Sequence, residues 1–435
     1  MLRVLRRPQL ALLWSSQVLS AMGDYLYTIA VLWMAVRVGG SQAGLVAAAE
    51  WGAALAFGLL GGVYADRWNR RTVMIWTDVL RGVVVLALPV LAHFQALHIW
   101  QFVIVAILLG SVGTLFDPAL QASLPALVGE TDTLRAANGL MDLTRRLARA
   151  IGPSTAGLLI LFLPLEQFFT LDAISFGLSA VAVLALGSRY AWKPERAAGA
   201  HRGPRGIVAD IAGAVRLVVG RRALTWMLAA LGIINGLWSV AFTLGTPLLA
   251  QQALHEGVGA YGLIVGAYGV GNAVANLIIG SLPGRRPVIS FFSGKLVLGA
   301  GFLLVASAPV LWVALLGAAI AAIGGPMGDI PLATMLQTDL PAGQLGKVFS
   351  LRATLSSAGV FLGTLIAVPL FAHVDVRVGI ALAAALMVTL GVAGLARFWP
   401  GEAVATEQKR QQLATNPGEA LQLAEVIEGE DELVR

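Results

Sequence analysis

Chemistry in this chain has to begin from a few carboxylates and polar side chains set inside apolar sequence. Asp24 is the deepest of them: it lies in the apolar stretch 10–36, where Gln17, Ser20, Asp24, Tyr27 and Thr28 recur at i, i+3, i+7, i+10 and i+11. That spacing puts a polar stripe on one face of an otherwise apolar helix. A charge at the centre of a membrane span costs about 2.5 to 3.5 kcal/mol on insertion scales, so the stripe must face a cavity or another helix and not lipid. An acid in such a place can pair with a cation or take up and release a proton. Glu50, in the outer third of the stretch 43–65, is a second acid of this kind and competes with Asp24 for the proton-exchanging role. Asn235, Ser239 and Thr243 repeat the pattern later in the chain, as do Tyr268, Asn272 and Asn276. Together with Gln17, Ser20, Tyr27 and Thr28 they are expected to line a weakly polar, aromatic cavity for a small molecule.

The remaining charges at membrane depth come in sets. Asp78 and Arg81 are three apart on one helix, and Asp142, Arg145 and Arg149 share a face of another; opposite charges at these spacings neutralise one another. Read together with Asp117, they form a charge network bracing the first half of the chain. Asp172 reads as a packing or capping residue. Lys295 and Arg352 are isolated cations of the second half, either able to meet an anionic group. Arg352, a turn or two beyond Lys347, reads as an end-of-span gate contact. Gly152, Pro153 and Gly157 predict a kink and a close helix seam, since proline removes a helix hydrogen bond and small neighbours admit a facing helix.

Nothing here assembles a catalytic or metal site. The chain has no cysteine, its five histidines are scattered, and it contains no Walker loop. No enzyme activity, cofactor, metal or ATP coupling is therefore expected.

These residues need a scaffold, and the composition identifies it. Of 435 residues 57% are apolar and 12% charged, against about 25% charged in soluble proteins, so a water-soluble fold is excluded. A membrane helix takes about 20 apolar residues. The chain offers twelve such spans: 10–36, 43–65, 72–92, 98–120, 138–163 and 167–187, then 223–250, 261–282, 287–309, 310–337, 346–373 and 376–399. Alternate loops collect the arginines on one side, including Arg3, Arg6, Arg7, Arg67, Arg70, Arg71, Arg135, the run 189–222, Arg285, Arg286 and Lys347; only Arg37 and Arg377 face the other. The positive-inside rule then places both termini in the cytoplasm. The net charge of +6 is distributed over loops and signals membrane orientation rather than nucleic-acid binding.

Four regions follow: a six-helix bundle over 1–188, a basic linker over 189–222 with an amphipathic helix, a second bundle over 223–399, and a tail over 400–435. The tail holds eight acids against three bases, the composition of a disordered segment or loose solvated helix. An offset of 218 residues places Gly44 over Gly262, Gly62 over Gly280, Arg67 over Arg285 and Gln17 over Asn235. Internal repetition of this kind marks secondary transporters, whose halves rock about a midplane site.

The loop after span two reads Gly62-Val63-Tyr64-Ala65-Asp66-Arg67-Trp68-Asn69-Arg70-Arg71. It resembles the G-x-x-x-D-R-x-x-R-R loop of the major facilitator superfamily, with Asn69 where glycine is usual. The D-R-W-x-R-R form and the Ser-Ala-Met-Gly-Asp segment ending at Asp24 look like the branch with macrolide and enterobactin exporters. Ile151-Gly152-Pro153-Ser154-Thr155-Ala156-Gly157 is similar to a motif of drug/proton antiporters. The resemblance implies an all-α membrane fold of two pseudo-symmetric six-helix bundles. It implies proton-coupled efflux of drugs, siderophores or similar amphiphiles by a monomer in the bacterial inner membrane. It also implies gating by Gly62, Asp66, Arg67, Arg70 and Arg71, with Asp66 holding the halves together and the arginines paired to Asp117. Two alternatives stay open: a lipid or lysolipid transporter of the same fold, and a non-transporting receptor or scaffold acting through its tail.

Overall fold

The computed structural model describes residues 6–65, 68–94, 97–128, 162–187, 215–281, 286–339 and 345–415, with single positions between 141 and 160 and at 213. Eleven of the twelve expected spans lie on described helices. Spans one to four are Pro8–Gly39, Ala43–Ala65, Arg70–His93 and Ile99–Val128, and span six is Leu165–Ala185. Spans seven to nine are Arg222–Ala253, Val258–Ser281 and Pro287–Ser307. Spans ten to twelve are Leu311–Asp339, Leu345–His373 and Val376–Thr415. The described positions of span five, among them Met141, Thr144, Ala148 and Gly152, are helical too. The last helix continues beyond Trp399 to Thr415, so the first part of the acidic tail is helix. Most of the basic linker, and residues 416–435, lie outside the described residues.

Apolar side chains cover the lipid-facing surface, as in Leu277 and Trp312, each 76% exposed, because lipid rather than water solvates them. Inside, each half packs chiefly with itself: spans two, three and four and spans one, three and six in the first half, spans eight to ten and nine with twelve in the second. Spans two and eleven make the main contact between halves. One apolar core runs through both halves, from Tyr27, Trp33, Phe102 and Phe169 to Leu244, Tyr261, Phe302 and Ile380. Towards the end that carries the termini this shared core divides. Leu13, Met74 and Phe116 belong to a cluster of the first half, and Leu228, Phe291 and Leu351 to a separate one of the second. The molecule is thus joined at the far end and has two independent cores at the terminal end.

Close seams rest on small residues. Gly232 and Gly236 of span seven face Gly359 and Gly363 of span eleven so tightly that a Cβ at Gly359 would stand 2.0 Å from the Gly232 carbonyl oxygen. Two small-xxx-small pairs crossing in this way let the backbones touch, and Ser239 donates across the same seam to the Val360 carbonyl at 3.2 Å.

Span ten contains Pro326 and Pro331, each of which removes the donor for the carbonyl four residues earlier. Both freed carbonyls find side-chain donors on neighbouring helices: Asn272 Nδ2 reaches Ala322 O at 3.4 Å, and Ser290 Oγ reaches Met327 O at 2.9 Å. At the far end, Arg377 donates to the carbonyls of Ala253, Ala306 and Ala308, where its charge complements the ends of spans seven and nine.

Candidate functional site

Asp24 stands midway along span one, and Arg81 of span three reaches it from the facing wall. Arg81 Nη2 lies 3.1 Å from Asp24 Oδ1, with Arg81 17% and Asp24 47% exposed. The guanidinium also rests on the Phe176 ring of span six, 4.2 Å from its centroid. A cation held between a carboxylate and an aromatic face is stabilised on both sides.

The pair forms one wall of a cavity of about 170 Å³ lined also by Gln17, Ser20, Asp117 and Thr144. Of the predicted stripe, Gln17, Ser20 and Asp24 reach this cavity. Tyr27 does not: it is 4% exposed and meets Phe169 edge-to-face at 6.0 Å. Thr28 turns its hydroxyl onto the Asp24 carbonyl at 2.8 Å. The cavity ends near Asp24, where the shared core begins.

Glu50 is partly buried on span two, outside the cavity lining. Its backbone abuts Gly110 of span four, and it lies within electrostatic reach of Asp24 and Arg81. Asp78 is fully buried one turn below Arg81, beside Ser179, and among the described residues neither of its oxygens has a well-formed hydrogen bond. Asp142, Arg145 and Arg149 lie outside the described residues, so the predicted network is described only through Asp78, Arg81 and Asp117.

In the second half the predicted cavity residues divide. Tyr268 accepts a hydrogen bond from Trp238 Nε1 at 2.9 Å. Around it Phe242 packs at 4.3 Å and Phe302 at 6.4 Å between ring centroids. These rings pack against the shared core as one aromatic cluster. Trp238 and Phe242 escaped the sequence reading, although their i, i+4 spacing with the polar Asn235 nearby was a signal. Asn235 bonds its own helix at Leu231 O, and Ser239 and Asn272 serve the seams described above. Ser239 and Asn272 hold helices together, because a polar group between helices finds the nearest open carbonyl.

Gating candidates also separate. Asp66 and Arg67 are outside the described residues, and of Gly62 only the helical backbone is described. Arg71 donates to the carbonyls of Val183 and Leu184 at the end of span six, and Arg70 starts span three. Asn69 caps that helix, accepting from Thr72 N at 3.3 Å, which explains an asparagine there. Arg352 pairs with Asp329 of span ten at 3.3 Å, within its own half. Asp329 was missed, although an acid inside an apolar span is the same signal that identified Asp24. Gly152 is a seam residue: a Cβ there would stand 2.4 Å from the Tyr25 ring. Pro153 and Gly157 lie outside the described residues.

The far end is shut by residues no motif announced. Trp33 of span one stacks on Tyr261 of span eight, Gly44 meets Val368 and Leu244, and Gly52 meets Phe361.

Residues 2–425 match the family described as transmembrane secretion effector. The multidrug efflux pump Tap of Mycobacterium tuberculosis is 27% identical over 375 residues, 84% of this chain and 87% of that protein. Macrolide efflux protein A of Streptococcus pyogenes is 26% identical over 174 residues, 39% of this chain and 42% of its own. Among solved structures, the POT family transporter PepTSo superposes with a TM-score of 0.67 at 12% identity, covering 92% of this chain and 98% of the other. A bacterial homolog of the human lysosomal transporter Spinster, inward-facing and unoccupied, gives 0.65 at 12% identity over 92% and 97%.

Proposed function

The chain belongs to the transmembrane secretion effector family of the major facilitator superfamily, and on that premise we propose that it couples inward proton flow to the export of amphiphilic small molecules, drugs or siderophores among them. It is a multi-pass secondary efflux transporter and not an enzyme. The carrying observation is the Asp24–Arg81 pair on the wall of a cavity, below a far end that is packed shut.

With the termini in the cytoplasm of a bacterial inner membrane, the structure corresponds to an inward-facing state. A substrate enters from the terminal side, stacks on the Trp238, Phe242 and Tyr268 platform, and brings its polar or cationic group to Asp24. Asp24 is the acid at which proton and substrate compete, and Glu50 is the competing coupling candidate. One elementary charge crossing about 100 mV contributes roughly 2.3 kcal/mol, enough for a concentration ratio of about fiftyfold. Asp66 and the loop arginines act as the gate at the terminal end, and the two bundles rock as units about the seam of spans two and eleven. A monomer suffices for this cycle.

The relatives named as multidrug and macrolide efflux proteins support the substrate class. A lipid or lysolipid cargo is the second reading, favoured by an apolar groove between spans three and four lined by Trp68, Trp76, Leu80 and Leu115. Everted membrane vesicles decide between them. Collapse of an imposed pH gradient on adding a dye or macrolide supports proton-coupled drug export, and a gradient insensitive to such compounds rejects it.

A further inference from the structure

Asp172 is a buried acid that the coupling reading leaves without a task. It lies on span six, 1% exposed, and its side-chain hydrogen bond among the described residues comes from the Ser175 hydroxyl at 3.4 Å. That contact is long, and the same hydroxyl donates to the Asp172 carbonyl at 2.7 Å. Gly23 makes the carboxyl's place: a Cβ there would stand 2.5 Å from both Asp172 Oδ1 and Ser175 Oγ. Asp172 therefore lies against the backbone of span one at the residue preceding Asp24.

Phe176, four residues after Asp172 and on the same helix face, carries the Arg81 guanidinium. Arg81 pairs with Asp24 on the cavity side, and Asp172 lies about one helical turn along span six from the aromatic ring that supports the guanidinium, within electrostatic reach of it. Arg81 Nε has no hydrogen-bond partner among the described residues, so the guanidinium is not fully engaged where it rests. The other charged or titratable groups around the set are Tyr27 on span one, Glu50 on span two, Asp78 on span three and Asp117 on span four. Asp142, Arg145 and Arg149 of span five are outside the described residues.

We propose that Asp172 is the alternate partner of Arg81, making the site a one-for-one exchanger of lipophilic cations for protons. The inference rests on the export reading above and moves the exchanged proton from Asp24 to Asp172. In the resting state Asp24 is a carboxylate paired with Arg81, and Asp172, sealed without a cation, holds a proton, because a lone buried charge is costly. A cationic group docking on Asp24 displaces the guanidinium across the Phe176 face. Arg81 then pairs with Asp172, whose O–H bond breaks and whose proton passes to water on the cavity side. The two acids, Arg81 and the bound cation sum to zero charge before and after. Re-protonation of Asp172 returns Arg81 to Asp24 and expels the cation.

The test uses the purified full chain in weakly buffered detergent with a pH dye, titrated with tetraphenylphosphonium. Wild type is expected to release about one proton per bound cation, as charge neutrality of the buried set requires. Asp172→Asn should abolish the release and weaken tetraphenylphosphonium binding at least about tenfold, because the displaced guanidinium then meets no carboxylate, and Asp172→Glu should restore both. Binding without release in wild type, or unchanged release from Asp172→Asn, overturns the proposal, and so does failure of wild type to bind the cation. Release from wild type alone would also follow from proton competition at Asp24, so where Asp172→Asn does not fold, Asp172→Ser takes its place. Vesicle export with no proton release on binding sinks this inference alone, whereas absence of any gradient-driven export sinks the export reading.

Discussion

The indole of Trp33 lies flat on the phenol ring of Tyr261, centroids 5.6 Å apart at 15°, with neither residue more than 4% exposed. The two side chains come from opposite halves and close the far end of the molecule. A stacked aromatic pair contributes about 0.5 to 1.5 kcal/mol beyond its burial, so its loss should shift the gate equilibrium by roughly two- to twelvefold. Trp33→Ala is expected to broaden and lengthen the distance distribution between spin labels at the far ends of spans one and eight. Unaltered distances in a folded variant would show that the seal lies elsewhere.

Removing the carboxylate at Asp24 strips Arg81 of its cavity-side partner. Asp24→Asn is expected to lower pH-gradient-driven export at least about tenfold, equivalent to some 1.4 kcal/mol, with neutral substrates still bound at the aromatic platform. Glu50→Gln, being outside the cavity, should lose less. The comparison is made in everted vesicles; full uphill transport by Asp24→Asn alongside loss in Glu50→Gln would exchange the two roles.

Gly152 faces the Tyr25 ring with no room for a Cβ. Gly152→Leu must push span five off span one, a backbone displacement, whereas Pro153→Ala only restores a helix donor. Turnover measured on matched protein amounts should therefore fall much further for Gly152→Leu. Equal rates would leave the seam without a part in transport.

Asn272→Ala and Ser290→Ala each expose a proline-freed carbonyl of span ten. Leaving a buried acceptor unmet costs about 1 to 3 kcal/mol, so each should lower the melting temperature in detergent while substrate affinity stays near wild type. A large affinity loss with unchanged melting for Asn272→Ala would return that residue to the cavity.

Much of this was legible along the chain. Apolar runs of about 20 residues can only be spans, and basic loops alternate because lipid and surface potential sort them. Asp24 stood out because an acid inside such a run must be retained against its cost. Gly152 was legible for a related reason: a small residue in a membrane helix marks a close neighbour. Gly23 carried the same signal, but nothing in the chain said which side chain occupied its space.

What only the tertiary structure decided is which polar residue faces what. Tyr27 and Ser20 share a helical stripe, yet one is sealed against Phe169 and the other lines the cavity. Asn272 has the composition of a binding residue and serves Ala322 instead, because Pro326 on another helix freed that carbonyl. Arg81 read as the partner of Asp78, three residues away, and reaches Asp24 across the bundle. Periodicity reports the face a residue occupies on its own helix. The partner on that face is set by the packing of helices distant in sequence, and at the far end by the meeting of two halves whose contact residues, Trp33 and Tyr261, carry no motif.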